Sequence, residues 1–279
     1  MKSPFSIKLV NPILNLLRIF LKKRDVSCKL WGVIWVFNLV FFSCKTNNEV
    51  HLTIAAASNM LFVLNELVPE FEKETGISTD LITASSGKLT TQILAGAPFD
   101  VFISANAKYP KHIRDTNSDY QKAVTIARGK LILISTKKIK KPLSTALTST
   151  SVKKIAMPNP NIAPYGKAAE ELLHNWGVYD HVVSKLIYGE SVGQTNQFIS
   201  LGTVDIGFTA KSTLFSNKLK GMNENYAEIS DSLYQALDHQ LLIVSKTKAQ
   251  KNKALQFARF IQTKKARQIL LNYGYALPE

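Results

Sequence analysis

Apolar residues in this chain follow two rhythms: short unbroken runs of strand length, and longer segments with an apolar position every three or four residues. His51–Ala57 is a run of the first kind; Leu61, Leu64, Leu67, Val68 and Phe71 then follow at helical spacing until Gly76 stops them. The unit repeats as a strand over Ile77–Thr83 and a helix over Lys88–Leu94 ended by Gly96, and Asp100–Ser104 adds a third strand. A strand over Lys130–Ser135 leads into Thr136–Ser151, whose Lys, Pro, Ser and Thr content predicts a passage between domains. A second series runs through strand Lys153–Met157, helix Lys167–Trp176, strand Leu186–Gly189, helix Gln194–Leu201 and strand Asp205–Thr209. Gln240–Ser245 matches Lys130–Ser135 in length and apolarity, and helices over Ala249–Gln262 and Lys264–Asn272 close the chain. The alternation predicts an α/β fold with mixed or parallel sheets flanked by helices. The matched strands bracketing the middle predict a chain that crosses to a second lobe and returns. The expected units are a tail over 1–49, one lobe over 50–132 with a return segment over 237–279, a second lobe over 133–236, and a ligand cleft between the lobes.

Charge alters this picture mainly at the front of the chain. The first 44 residues hold seven basic residues against one acid, Asp25, and so account for six of the fifteen net positive charges. The remaining nine favour recruitment of small anions by long-range attraction. The densest basic run, Lys137, Lys138, Lys140 and Lys141, has no interleaved aromatic residue and reads as a solvated face, not as a nucleic-acid surface. Lys22, Lys23, Arg24 and Lys29 precede a 13-residue apolar run, Leu30–Phe42, and then Ser43-Cys44. That run is under the roughly 18 residues that span a bilayer and predicts an export signal. Ser43-Cys44 resembles a bacterial lipoprotein cleavage site with Cys44 as the lipidated residue; a retained signal anchor is the alternative. Both place the body outside the inner membrane, in the periplasm or cell envelope. Cys28 and Cys44 are the only cysteines, so the body holds no internal disulfide.

Familiar catalytic patterns are missing. His51, His112, His174, His181 and His239 show no metal-ligand spacing. Ser85-Ser86-Gly87-Lys88 matches Ser-x-x-Lys without the partner motifs of penicillin-recognising enzymes, and no Gly-x-Ser-x-Gly elbow or phosphate-binding P-loop is present. What recurs is a small-residue turn opening a helix: Ala57-Ser58-Asn59, Ser85-Ser86-Gly87, Ala163-Pro164-Tyr165-Gly166 and Ser191-Val192-Gly193. Each taken singly is an ordinary helix cap or a proline at the first helical position. Aimed into one cleft, the four would offer hydroxyls and backbone N–H groups only, which suits a fully deprotonated anion, because a protonated oxygen would find no acceptor. Lys88 reads as a surface lysine, and Asp100 and Glu190 as braces of turns.

Taken together these turns, with Gly96-Ala97-Pro98-Phe99-Asp100-Val101-Phe102-Ile103-Ser104-Ala105, Gly189-Glu190 and Asp205-Ile206-Gly207-Phe208, resemble the periplasmic molybdate-binding proteins of ABC transporters over nearly all of residues 50–279. The resemblance implies the two-lobed type II solute-binding fold and a molybdate or tungstate ligand, with no cofactor and no catalytic residue. It implies Ser58 and Ser86 as hydroxyl ligands of the first lobe, Asn59 as a further ligand, and Tyr165 and Val192 as second-lobe donors of backbone N–H. Some members carry a tyrosine ligand where this chain has Ala210. The implied partners are a membrane permease with its cytoplasmic ATPase, the membrane itself through the N-terminal segment, and no nucleic acid; the implied state is a monomer. Two other functions remain open at this point: a receptor for sulfate or another oxyanion, and an enzyme acting on a small anionic substrate. The enzyme would need a general base that none of the four turns supplies.

Overall fold

The structure, a computed structural model, describes residues 51–117, 119–139, 142–216, 219 and 225–278. The tail with Cys44 lies outside these residues, as do Lys140 and Lys141. Val50–Glu279 forms one unit by itself. Its elements are β1 (His51–Ala57), α1 (Leu61–Thr75), β2 (Ser78–Ala84), α2 (Ser86–Leu94), β3 (Val101–Ser104), α3 (Lys108–Thr116), β4 (Val124–Gly129), β5 (Leu131–Ser135), α4 (Leu143–Thr148), β6 (Ile155–Pro158), α5 (Pro164–Asn175), α6 (Tyr179–Val182), β7 (Leu186–Gly189), α7 (Val192–Ser200), β8 (Ile206–Ala210), β9 (Tyr226–Glu228), β10 (Leu237–Ile243), α8 (Lys248–Phe260) and α9 (Lys264–Asn272).

Two five-stranded sheets result, in the orders β2-β1-β3-β10-β4 and β7-β6-β8-β5-β9. In the first, β1 is parallel to β2 and β3, and β10 runs antiparallel between β3 and β4. In the second, β6 is parallel to β7 and β8, and β5 runs antiparallel between β8 and β9. The unbroken apolar runs are explained by cover on both faces. Leu52, Ile54, Val101, Ile103 and Leu241 pack with α1, α8 and α9, while their neighbours Ala55, Phe102 and Leu242 pack with α2 and α3 through Leu89, Ile93 and Ile113. The second sheet is sandwiched in the same way: Leu131, Leu133, Ile155 and Met157 face Ala169, Leu172 and Leu173 of α5, and Ile132, Ile134 and Ala156 face Ile199 of α7. Gly76 caps α1 at φ 70°, a left-handed position that favours glycine, and its N–H donates to the Glu72 carbonyl.

The expected passage between lobes is corrected. β5 pairs from Leu131↔Ala210 to Ser135↔Ile206 and is buried throughout, so it belongs wholly to the second sheet, and a boundary at 132/133 would cut it. The matched strands β5 and β10 are not companions in one lobe; each is the antiparallel strand inserted into its own sheet. The chain crosses instead at Lys130, between β4 and β5, and returns just before β10. Both crossings lie side by side, because Gly129 and Leu237 are register partners. Thr136–Ser151 is not a bare linker either, since it contains α4, anchored by buried Leu147. Among the described residues no helix is long and apolar enough to cross a membrane.

Candidate functional site

Strand register brings the four turns to one region. Ala57 pairs with Ala84, so Ser58 and Ser86 leave neighbouring strands at the same edge of the first sheet; Pro158 pairs with Gly189, so the turns opening α5 and α7 do the same in the second. The two edges then meet. Gly193 N–H donates to Ser58 Oγ at 3.1 Å, and Gly87 N–H donates to the Ile162 carbonyl at 2.9 Å. Ala57 and Ala105 of the first lobe share one buried cluster with Tyr165, Val192 and Ala210 of the second. At the rim, exposed Lys88 Nζ pairs with Glu190 Oε2 at 3.0 Å, across the two lobes. Asp100 is a brace: its carboxylate accepts from Thr53 N–H at 2.9 Å.

The choice between cap and ligand is decided by neighbouring residues. Ser85, not Ser86, is the N-cap of α2, its Oγ accepting from Lys88 N–H, and Ser191 caps α7 by accepting from Gln194 N–H. Ser86 Oγ accepts from Ala105 N–H at 3.1 Å, and no side-chain cap is assigned to Ser58. Each of these two hydroxyls therefore accepts one backbone N–H, which fixes its oxygen and leaves its hydrogen to donate. The N–H groups of Ser86, Tyr165 and Val192 stand in the first turns of α2, α5 and α7, where no intrahelical acceptor exists, and they have no acceptor among the described residues. Ser58, Ser86, Tyr165 and Val192 are all buried, Ser86 completely. The macrodipoles of α2, α5 and α7 add partial positive charge at these ends. Pro164 sits at the start of α5 as expected and supplies no N–H to compete.

Asn59 departs from its expected role. Its Nδ2 donates to His239 Nε2 at 2.7 Å and to Tyr275 Oη at 3.0 Å, so both amide hydrogens are committed away from an anion. Its backbone carbonyl accepts from Tyr275 Oη at 3.0 Å and from Ser212 Oγ at 2.9 Å. Asn59 thus ties the Ser58 turn to β10, to the C-terminal segment and to the second lobe, and positions Ser58 without serving as a side-chain donor. Ala210, fully buried at the end of β8, presents no donor of the kind a tyrosine would. The Tyr165 ring is fully buried; its hydroxyl has no partner among the described residues, and burial pushes its pKa well above the ordinary value. A Cβ on Gly129 would lie 2.0 Å from that hydroxyl, so the ring packs against the crossing strand.

His239 is completely buried and was missed by the sequence reading. Its Nδ1 lies 3.0 Å from the Leu237 carbonyl, which can only accept, so Nδ1 carries the proton and Nε2 accepts from Asn59. Burial pushes its pKa from 6.5 down to about 4, against smaller upward pulls from the Leu237 carbonyl and Asp238. The unfolded chain then binds the extra proton between these values, so the stability gained by keeping the ring neutral is complete above about pH 6.5 and is lost as pH falls toward about 4. Roughly 3 kcal/mol is at stake. Urea unfolding at neutral and acidic pH should show wild type losing this increment relative to His239→Gln; parallel pH profiles would refute it.

Two α/β lobes joined by adjacent strands, with hydroxyls and first-turn N–H groups gathered where they meet, define a small-solute receptor fold. The chain belongs to the bacterial extracellular solute-binding proteins, whose family model matches residues 52–276. It is similar to the molybdate-binding protein ModA of Rhodobacter capsulatus, 31% identical over 226 residues that cover 79% of this chain and 86% of that one. It is also similar to the putative ABC transporter substrate-binding lipoprotein YvgL of Bacillus subtilis, 28% identical over 84% of this chain and 89% of that protein. Among solved structures, the periplasmic molybdate-binding protein of Azotobacter vinelandii superposes with a TM-score of 0.75 at 31% identity, over 82% of this chain and 100% of that one.

Proposed function

We propose that this chain is an exported receptor for a tetrahedral dianion, molybdate or tungstate, which it delivers to an ABC importer made of a membrane permease and a cytoplasmic ATPase. The observation that carries the reading is the donor set: two buried hydroxyls with hydrogens to give, Ser58 and Ser86, and three N–H groups without acceptors, Ser86, Tyr165 and Val192. A buried dianion is tolerated only where its lone pairs meet fixed dipoles, at roughly 1.5–3 kcal/mol per charged hydrogen bond. Donors alone favour a fully deprotonated ion over hydrogen phosphate. The names of the two molybdate-binding relatives support the same ligand. The chain acts as a receptor without catalysis: the four turns supply no general base, and His239, which Asn59 joins to the Ser58 turn, has both ring nitrogens engaged. The N-terminal segment holds the body at the membrane, through lipidated Cys44 or as a retained anchor.

Thermal unfolding of Val50–Glu279 with equal excesses of molybdate, tungstate, sulfate and phosphate tests this. A ligand of the native state raises the melting temperature with the logarithm of its excess over Kd. Large shifts with molybdate and tungstate alone are expected. A shift confined to sulfate would replace the ligand, and none with any anion would refute the receptor reading.

A further inference from the structure

The turns that lie farthest from the crossing strands carry opposite charges. In the first sheet β2 is the edge strand three places from β10, and in the second β7 is the edge strand three places from β5. The turns after β2 and β7 therefore stand about 14 Å along each sheet from the crossings, at the mouth of the cleft. Lys88 is in the first turn of α2, after β2; Glu190 follows β7 and directly precedes Ser191, the cap of α7. Their Nζ and Oε2 atoms meet at 3.0 Å. A rotation about the crossing strands displaces this pair further than it displaces contacts nearer β10 and β5.

Lys88 is poorly placed within its own lobe. The first turn of α2 carries no acid, and a cation there opposes the helix macrodipole. Glu190 of the other lobe supplies the compensation, and does so only while the lobes are together. Among the described residues the other ion pairs lie within one lobe or beside the crossings, so this pair adds charge to a junction otherwise made of neutral groups, such as Gly87 N–H with the Ile162 carbonyl. Neither residue belongs to the donor set. The Lys88 N–H is spent on Ser85 Oγ, and the Glu190 N–H on Gln194 Oε1 at 2.7 Å, so exchanging the side chains leaves both backbone bonds in place.

We propose that Lys88 and Glu190 are positioning residues that latch the mouth of the cleft and set how long the closed receptor retains its anion, without touching that anion. This rests on the oxyanion-receptor reading. Both side chains are at least half exposed, so the pair is worth a few-fold in the closing equilibrium and is weakened by salt. The test is the rate at which Val50–Glu279 releases radioactive molybdate into an excess of the unlabelled ion. Lys88→Glu and Glu190→Lys, which place like charges at the mouth, should each speed release about three- to tenfold. The exchanged pair Lys88→Glu/Glu190→Lys should return it to within about twofold of wild type. Added salt should speed release from wild type and slow it from either single variant. Wild-type release rates in both single variants, or an exchanged pair that releases as fast as they do, would overturn the latch.

Val50–Glu279 contains no cysteine, so spin labels on Gln92→Cys and Gln197→Cys report the distance between α2 and α7 in the same proteins. If wild type bound none of the four oxyanions, the receptor reading would fall and this distance would judge the latch alone. A longer distance in Lys88→Glu than in wild type would uphold it, and equal distances would overturn it.

Discussion

Gly87→Ala is expected to weaken oxyanion binding at least tenfold while leaving the melting temperature of the ligand-free protein unchanged or slightly raised. A Cβ at this position would lie 2.9 Å from the Ile162 carbonyl oxygen and 3.0 Å from both Ile162 Cα and Tyr109 Oη. Ile162 belongs to the other lobe and its backbone cannot rotate aside, so closure would stop a few tenths of an ångström short. That shortfall stretches the Gly87 N–H bond to Ile162, now 2.9 Å, and withdraws the Tyr165 N–H three residues further on. In an open, ligand-free form the clash vanishes, and alanine in a helix is favoured over glycine by roughly 0.5–1 kcal/mol. Gly193→Ala is the control, because its Cβ would meet Ser58 Cβ at 3.5 Å, an ordinary contact, and binding should stay near wild type. Calorimetric titration of both variants decides the matter; undiminished affinity in Gly87→Ala would mean that the lobes do not close on the ligand as described.

Ser86→Ala should show the second large effect, in two readouts at once. The hydroxyl accepts from Ala105 N–H inside a completely buried site, so its loss leaves that donor unsatisfied at a cost of about 1–3 kcal/mol in stability. Binding loses a donor to a charged oxygen as well, worth roughly 1.5–3 kcal/mol, or ten- to a hundredfold in Kd. The adjacent Ser85→Ala removes only the cap of α2, which costs about 1 kcal/mol of stability and leaves affinity intact. If the two variants bound molybdate equally well, Ser86 would have no place in the site.

The contrast between these serines marks what sequence can resolve. The four turns were legible because each joins a strand to a helix through small residues, a local pattern. Which of two neighbouring serines caps the helix was not, since that depends on where Ala105 N–H arrives from β3. The role of Asn59 was hidden for the same reason on a larger scale: its partners His239 and Tyr275 lie 180 and 216 residues away. α3 escaped notice because its nine residues bury only Pro110 and Ile113, and β4 because its exposed Val124 and Arg128 break the apolar run. β5 is legible as a strand, but a boundary at 132/133 cuts it, because the identity of its partners β8 and β9 is a tertiary fact that its own apolar residues do not encode.

The pairing of Gly129 with Leu237 makes the second lobe a cassette. Everything between these two positions enters and leaves the first lobe across one rung of an antiparallel ladder, a gap of about 5 Å. A short hairpin turn could bridge that gap and close the first lobe on itself. Conversely, a foreign lobe whose ends are similarly spaced could be spliced in, so that half of the donor set is exchanged while the strands carrying Ser58 and Ser86 are left as they are.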